Sequence, residues 1–324
     1  MSVAPIPPRR RRQDFADGGL PLYQRTAAVV GGVALVVGAM YGAAWLWNQS
    51  GVAAVVRDGS PNWSADGRRV VFTSETNGKA DLFITNLSGG DRQELTHTPA
   101  DEGGPAFSPN GEWLAFHSDR EGNFEIYVMR ADGTEARRLT ADPGTDQAPT
   151  WSRDGTQIIF TSDRAGEGFD VYRMSADGAG LERLTTGGGY WFPQYSPDGG
   201  QLALHIERDV YIMSLSSRAF RRLTHEPANG LYPTWSPDGL RLAFMSWRNG
   251  RTEIFVARSD GSEPRVVVTM PTGDAVDPRW SPDGRHLAFV HIPEGGLTPA
   301  QAAAQQRIVF IVELESGRLT RISR

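Results

Sequence analysis

The 324-residue chain contains no cysteine. That excludes disulfides, Cys-ligated zinc, iron–sulfur clusters, covalent c-type haem and a lipidated Cys. It also leaves the chain indifferent to the redox state of its compartment. Lysine is nearly missing as well, with Lys79 standing alone, so positive charge is carried by arginine. No G-x-S-x-G is present, and none of the six histidines (His97, His117, His205, His225, His286, His291) falls in H-E-x-x-H or another tight ligand spacing. The sequence therefore offers no catalytic constellation, and no catalytic residue, cofactor or metal is expected. A basic face is lacking too. Residues 1–25 carry five Arg against two Asp, a charge of +3; the remainder has 28 basic and 36 acidic residues, a charge of −8. An acidic bulk argues against nucleic acid as a partner.

Only one stretch is long, apolar and uncharged: "TAAVVGGVALVVGAMYGAAWLW", residues 26–47. As a helix it spans roughly 33 Å, enough to cross a bilayer core. Arg9–Arg12 and Arg25 precede it, and only Arg57 follows closely, which orients the N-terminus to the cytoplasm. Tyr23, Trp45 and Trp47 sit where interfacial aromatics belong. A cleaved signal peptide, with Gly51 and Ala53 near the cut, is the competing reading, but the run exceeds the usual h-region. Ala27, Gly31, Ala34, Gly38 and Gly42 recur at steps of three or four, and 38–42 is a GxxxG. Such a seam lets a second helix approach closely in lipid. The expected organisation is a cytoplasmic tail (1–25), a membrane helix (26–47), a short linker (48–57) and one domain (58–324).

Gly and Pro are abundant beyond that point, and they recur in register. "PNWSADGRRVVFTS" (61–74) is echoed at 105, 149, 193, 233 and 278, at spacings of 44, 44, 44, 40 and 45 residues. Each copy holds Pro, an aromatic, Ser and an Asp-Gly or Asn-Gly pair. Around that pair two short strands are expected to fold back, through a type I′ turn with φ > 0 at both central residues. A third strand ("IYVM", "VYIM") and a fourth ("RRLT") complete a four-stranded unit. Four strands repeated every 44 residues make one propeller blade per copy. The fold class is therefore all-β: a six-bladed propeller preceded by a single transmembrane helix. The outer strand of the closing blade could come from Val52–Arg57 or from Arg318–Ser323.

These six copies resemble the repeat of the TolB-type β-propeller, found also in prolyl-oligopeptidase-like enzymes. The resemblance covers residues 58–324. It implies the fold and leaves function open, since propellers host unrelated activities. Two departures stand out: TolB carries an α/β domain before its propeller, and the peptidases carry a hydrolase domain with its serine. This chain resembles the propeller of each.

Asp66, Asp154, Asp198, Asp238 and Asp283 recur with the repeat, and Asn110 replaces the acid in one blade. A residue stated in every blade is expected to shape the turn rather than to react. A second set of acids opens the third strand (Asp81, Glu125, Asp170, Asp209, Glu253). Arg120, Arg164 and Arg248 lie five or six residues upstream, so local Arg–carboxylate pairs are expected there. A metal site assembled across the channel, or a carboxylate pair there, has no unique residues to support it.

Function is sought where the copies differ. One propeller face carries the uniform Asp-Gly turns; the other carries the second-to-third and blade-to-blade loops. On that second face the fourth blade is shortened ("HIERDVY"), and the sixth gains "IPEGGLTPAQAAAQQR" (292–307). "GGGYWF" (187–192) places Tyr190, Trp191 and Phe192 after three glycines; Tyr232 follows in the next loop, and Trp247 replaces an acid. Exposed aromatics beside a glycine run have the composition of partner anchors. The alternative is that some of them fill the space left by the short fourth blade. The expected function is a non-enzymatic accessory subunit on the periplasmic side of a bacterial inner membrane. It would hold a larger membrane complex through propeller loops (Tyr190, Trp191, Phe192, Tyr232, Trp247) and helix seam (Ala34, Gly38, Gly42), beside membrane lipid. Single-span subunits of respiratory or photosynthetic complexes supply the analogy. The alternatives are a ligand-binding or hydrolytic propeller acting on a peptide or sugar, and a TolB-like envelope-integrity factor.

Overall fold

The computed structural model describes residues 56–225, 229–248, 250–293 and 306–323. The stretch 26–47, with Ala34, Gly38 and Gly42, lies outside the described residues. No helix among the described residues is long and apolar enough to cross a membrane. What is described is six antiparallel four-stranded sheets, each built from strands consecutive in sequence. The first strands are Val56–Trp63, Glu102–Phe107, Asp146–Trp151, Tyr190–Tyr195, Leu231–Trp235 and Asp274–Trp280. Each first strand touches those of the two neighbouring sheets, and the first touches the sixth, so they line the axis of a closed ring. The chain is a six-bladed propeller.

Second and third strands read as unbroken apolar runs because both faces of a blade are covered by its neighbours. Phe116 is fully buried, and with Leu114 and Tyr127 it packs against Val71, Leu82 and Ile84 of the preceding blade. Burying one such ring is worth about 1.5–3 kcal/mol. Five blades repeat an aromatic pair across the second and third strands, Phe116 with Tyr127 for instance at 5.7 Å. Fourth strands are only two to four residues long. Several present Arg to solvent, which blunts the rim as a pairing edge.

The Asp-Gly turn differs from the expected type I′ geometry. Only the glycine has positive φ, for example Gly67 at 68° and Gly239 at 71°. The Gly67 amide donates to the Ser64 carbonyl (2.9 Å), as in a type I turn followed by a left-handed glycine. The acid contributes its side chain instead. Asp238 Oδ1 accepts from Ser236 Oγ (2.5 Å) and from the Leu240 amide (3.0 Å), while Ser236 Oγ accepts from the Arg241 amide (2.9 Å). Asn110 makes the same two contacts in its blade, to Ser108 and to Glu112. A carbonyl oxygen is all the turn requires.

Every first strand also carries a bulge that the recurring proline explains. Proline cannot donate to the ladder. The residue before it (Ser60, Gly104, Ala148, Phe192, Tyr232, Asp277) has φ between 49° and 57°, and the register slips there in all six blades. Gly104 suits its place for a second reason: a Cβ there would lie 2.8 Å from the His117 ring.

The ring closes without exchange of strands. Leu319–Arg321 is the outer strand of blade six, while Val56 and Arg57 extend the inner strand of blade one. Arg307 bridges the seam, donating to the Val56 carbonyl and accepting from the Asp58 amide, each at 3.2 Å. Trp63 Nε1 donates to the Arg279 carbonyl (3.0 Å), and Trp63 and Phe72 share a core cluster with Val309 and Ile311.

Candidate partner-binding face

The two ends of the ring differ in kind. Six Ser–Asp or Ser–Asn clasps make up the turn end, and its acids are occupied. A groove of about 420 Å³ between blades four and five is lined by Asp198, Trp235, Asp238 and Asp260. Asp198 is held below the usual carboxylate range by the Ser196 hydroxyl and the Gly200 amide. At Asp238 burial works upward, but the Ser236 hydroxyl and Leu240 amide prevail and hold it low. These carboxylates are ionised and already hydrogen-bonded, which suits them poorly to proton transfer.

The opposite end carries the second-to-third hairpins and the blade-to-blade linkers. Its inner rim divides into two halves. Three residues before the recurring proline stand Asp58, Glu102 and Asp146 in blades one to three, against Tyr190, Gly230 and Ala275 in blades four to six. All three acids are buried. Glu102 accepts from Thr98 (2.6 Å), Ser118 (3.0 Å) and Arg120 (3.1 Å); Asp146 pairs with Arg164 at 2.6 Å. Burial raises the carboxyl pKa at each of them, and at Glu102 and Asp146 hydrogen bonds from hydroxyls and the arginine oppose it. At Asp58 the nearby hydroxyls are those of Ser74 and of Ser323 from blade six.

The local Arg–carboxylate pairing expected from the sequence is corrected here. Arg120 and Arg164 reach back 18 residues to the inner strand rather than forward to Glu125 and Asp170. Arg248 stacks on Phe255 at 3.9 Å rather than pairing with Glu253. The third-strand acids take the arginine of their own fourth strand instead: Glu125 with Arg138 (2.6 Å), Asp170 with Arg183 (2.6 Å) and Asp209 with Arg222 (2.7 Å). Each also accepts from a fourth-strand threonine, Thr140, Thr185 and Thr224 respectively. A hairpin folds its stem back beside the inner strand, so strand pairing outweighs closeness in sequence.

The other half of the rim is aromatic. Tyr190, Trp191 and Phe192 are not loop residues but the start of the blade-four inner strand. Tyr190 turns toward Phe220, ring centroids 5.7 Å apart, and belongs to the interior of that blade. Phe192 packs on Tyr232 at 4.2 Å, and both flank His205 at 5.7 Å. Tyr232 is only 1% exposed, so its ring fills space beside the short fourth blade and offers no contact surface. His205 and His117 are each pushed down to about 3 by burial, which keeps both imidazoles neutral. Trp191 stays half-buried, tilted over Phe169 of blade three at 4.3 Å. Beside it the glycine run presses on the blade-three loop: a Cβ on Gly188 would lie 2.1 Å from the Glu167 carbonyl. Trp247, 59% exposed, stands on the blade-five hairpin.

The sequence from 55 to 205 and again from 191 to 312 matches PD40, the TolB beta propeller domain. The chain belongs to that family. An uncharacterized protein of Agrobacterium fabrum is 34% identical over 110 residues, covering 32% of this chain and 37% of that one. The crystal structure of TolB from Acinetobacter baumannii is 26% identical with a TM-score of 0.62, over 70% of this chain and 57% of that one. An oligogalacturonate lyase solved in complex with manganese is 15% identical with a TM-score of 0.59, over 84% of this chain and 78% of that one, which is a likeness of fold. The chain thus spans little more than a third of the Agrobacterium relative and just over half of the Acinetobacter TolB.

Within this TolB-type propeller no group of three or more His, Asp or Glu is placed to hold a metal, among the described residues. What its loop face does offer is one half with three buried acids, two of them paired with arginine, and another that presents Trp247 and Trp191, the latter leaning on Phe169 of blade three. Sequence reasoning passed over the buried acids. Their signal was a carboxylate three residues before the recurring proline, present in only half the copies.

Proposed function

We propose that the chain is a non-enzymatic, membrane-anchored accessory subunit whose propeller holds a larger membrane protein complex on the periplasmic side. The observation that carries this reading is the contrast between the faces. The turn end repeats one clasp six times, whereas the loop end has a different composition in each half of the ring. A surface that has left the repeat is where a specific partner fits. Trp191 with Phe169 supplies the aromatic contact there, and the membrane crossing read from residues 26–47, with its Ala34, Gly38 and Gly42 seam, supplies the second. Tyr190, Phe192 and Tyr232 serve by fixing the strand that carries Trp191. Purification of the tagged full chain in mild detergent from its own membrane, with mass spectrometry of what stays bound, tests the proposal. Stoichiometric integral membrane proteins are expected, and their loss on Trp191→Ala; recovery of a lone monomer would overturn it.

A second reading is favoured by the same tilted pair, since Trp191 over Phe169 beside three glycines is also a stacking platform for a sugar ring. The lyase likeness makes an oligosaccharide the natural probe. Calorimetric titration with acidic oligosaccharides separates the readings, because an accessory subunit binds none.

A further inference from the structure

We propose that the blade-five hairpin lies in the headgroup layer of the bilayer, with Trp247 as its interfacial anchor and the Asp-Gly turns facing away from the membrane. This rests on the anchored reading above and adds which face meets lipid and through which residue. The direction of the first strand supplies the orientation. Val56 begins that strand at the loop end, beside the hairpin stems: Val56 pairs with Thr76 and Trp63 with Val70. Nine peptide units from Trp47 to Val56 span about 30 Å fully extended. To bring the turn end to the membrane, the chain would have to cross the blade outward, about 14 Å over three strand spacings, and then descend a six-residue strand, about 20 Å. That exceeds the tether's reach, and the shorter way, through the ring, would thread it. The loop end faces the bilayer.

On that end the blade-five hairpin, like that of blade one, stands proud of blade four. Blade four pairs stop at Ile206 with Asp209; blade five continues for two more, Trp247 with Thr252 and Arg248 with Arg251. Two further pairs are about 7 Å of height. The base is rigid: Arg248 stacks on Phe255 (3.9 Å), and Arg251 donates to the Met270 carbonyl (3.2 Å). The fold does not ask for tryptophan at this position. In blades one to three it is an acid with structural work, Glu75 pairing with Arg57, Asp119 accepting from the Asp101 amide (2.8 Å) and Asp163 from the Thr145 amide (2.7 Å). Blade five gives up that acceptor and exposes an indole opposite Thr252. An exposed indole on a rigid hairpin is a side chain that settles at a lipid–water boundary.

The missing cysteines make the test clean. Single-cysteine full-length variants at Trp247, at Thr252 (which leaves Trp247 in place) and at Leu240 on the turn face would carry an NBD label. They would be reconstituted in phosphatidylethanolamine–phosphatidylglycerol vesicles with shallow doxyl lipids. At 247 and 252 more than half the emission should be quenched, with a blue shift, while 240 is unaffected. Unquenched labels at 247 and 252 on protein that resists carbonate extraction would overturn the lipid contact and leave the anchor standing. A blue shift there without quenching would mean a protein surface covers the hairpin, which also overturns it. Loss of the protein to the carbonate wash would overturn the anchor, and this proposal with it.

Discussion

Arg164→Met should destabilise the propeller strongly, because the arginine is largely buried beside a buried acid. Arg164 donates to Asp146 Oδ2 at 2.6 Å and to Ser162 Oγ at 2.9 Å, and Asp146 has no exposed surface. Methionine keeps most of the apolar stem and removes only the charge. Leaving one partner of a buried pair uncompensated costs about 3–5 kcal/mol, near 6–10 °C in melting temperature for a domain of this size. The dependence on pH is the sharper test. Burial already holds the Asp146 carboxyl above its ordinary value, and loss of the arginine raises it further. A raised acid contributes stability that is complete below its unfolded pKa and is lost as pH rises through the folded one. In the variant that loss moves to higher pH. The deficit should therefore be largest at alkaline pH and shrink as pH falls toward the ordinary carboxylate range, each unit of upward shift being worth about 1.4 kcal/mol at the alkaline end. Urea-gradient pulse proteolysis of the full chain in detergent at several pH values would measure it, and Asp146→Asn added to Arg164→Met should restore most of the loss. A deficit under 1 kcal/mol that stays flat with pH would refute the reasoning.

Trp151 Nε1 donates across blades to the Ala106 carbonyl at 3.1 Å, whereas Trp235 Nε1 is buried without a hydrogen-bond partner. Trp151→Phe should thus cost about 1 kcal/mol and Trp235→Phe clearly less, by urea denaturation. Gly104→Ala forces a methyl toward His117 at φ 57° and should lose at least about 1–2 kcal/mol. Tyr232→Ala, in the packed half of the rim, should lose about 3–5 kcal/mol, against less than about 0.5 kcal/mol for Trp247→Ala in detergent. The turn acids titrate in the opposite sense to Asp146: the Ser64, Ser152 and Ser196 hydroxyls hold Asp66, Asp154 and Asp198 low. Their stabilisation is complete above the ordinary Asp pKa and disappears as pH falls below it, so Asp154→Asn should flatten acid unfolding below about pH 4.

The blades were legible because each repeats a proline, an aromatic and a turn pair, signals that act over a few residues. The turn's detail was not: Asp-Gly suggested two left-handed residues, yet Asp66 keeps ordinary φ and works through its carboxylate. Arg120 and Arg164 looked paired with acids five or six positions on, because sequence distance was the only distance to hand. The hairpin stem carries them back to Glu102 and Asp146 instead. Tyr190 to Phe192 read as loop since glycines precede them, and the bulge at Pro193 that makes them a strand is a tertiary fact. Trp247 was legible as an exposed oddity, because it broke a column of acids.

Because no strand is shared between blades, sequence order and spatial order coincide around the whole ring. Each blade can complete its own hydrogen bonding as soon as its 40 to 45 residues leave the ribosome, a matter of seconds at common elongation rates. Ile322 packs with Trp63 and Phe72, and Ser323 reaches Asp58, so closure waits for the final turn of translation. New termini opened at any blade-to-blade linker, with the old ones fused, would leave intact all 24 strands among the described residues. The protein's circular permutants should fold, and the position of the join would decide only which pair of blades meets last.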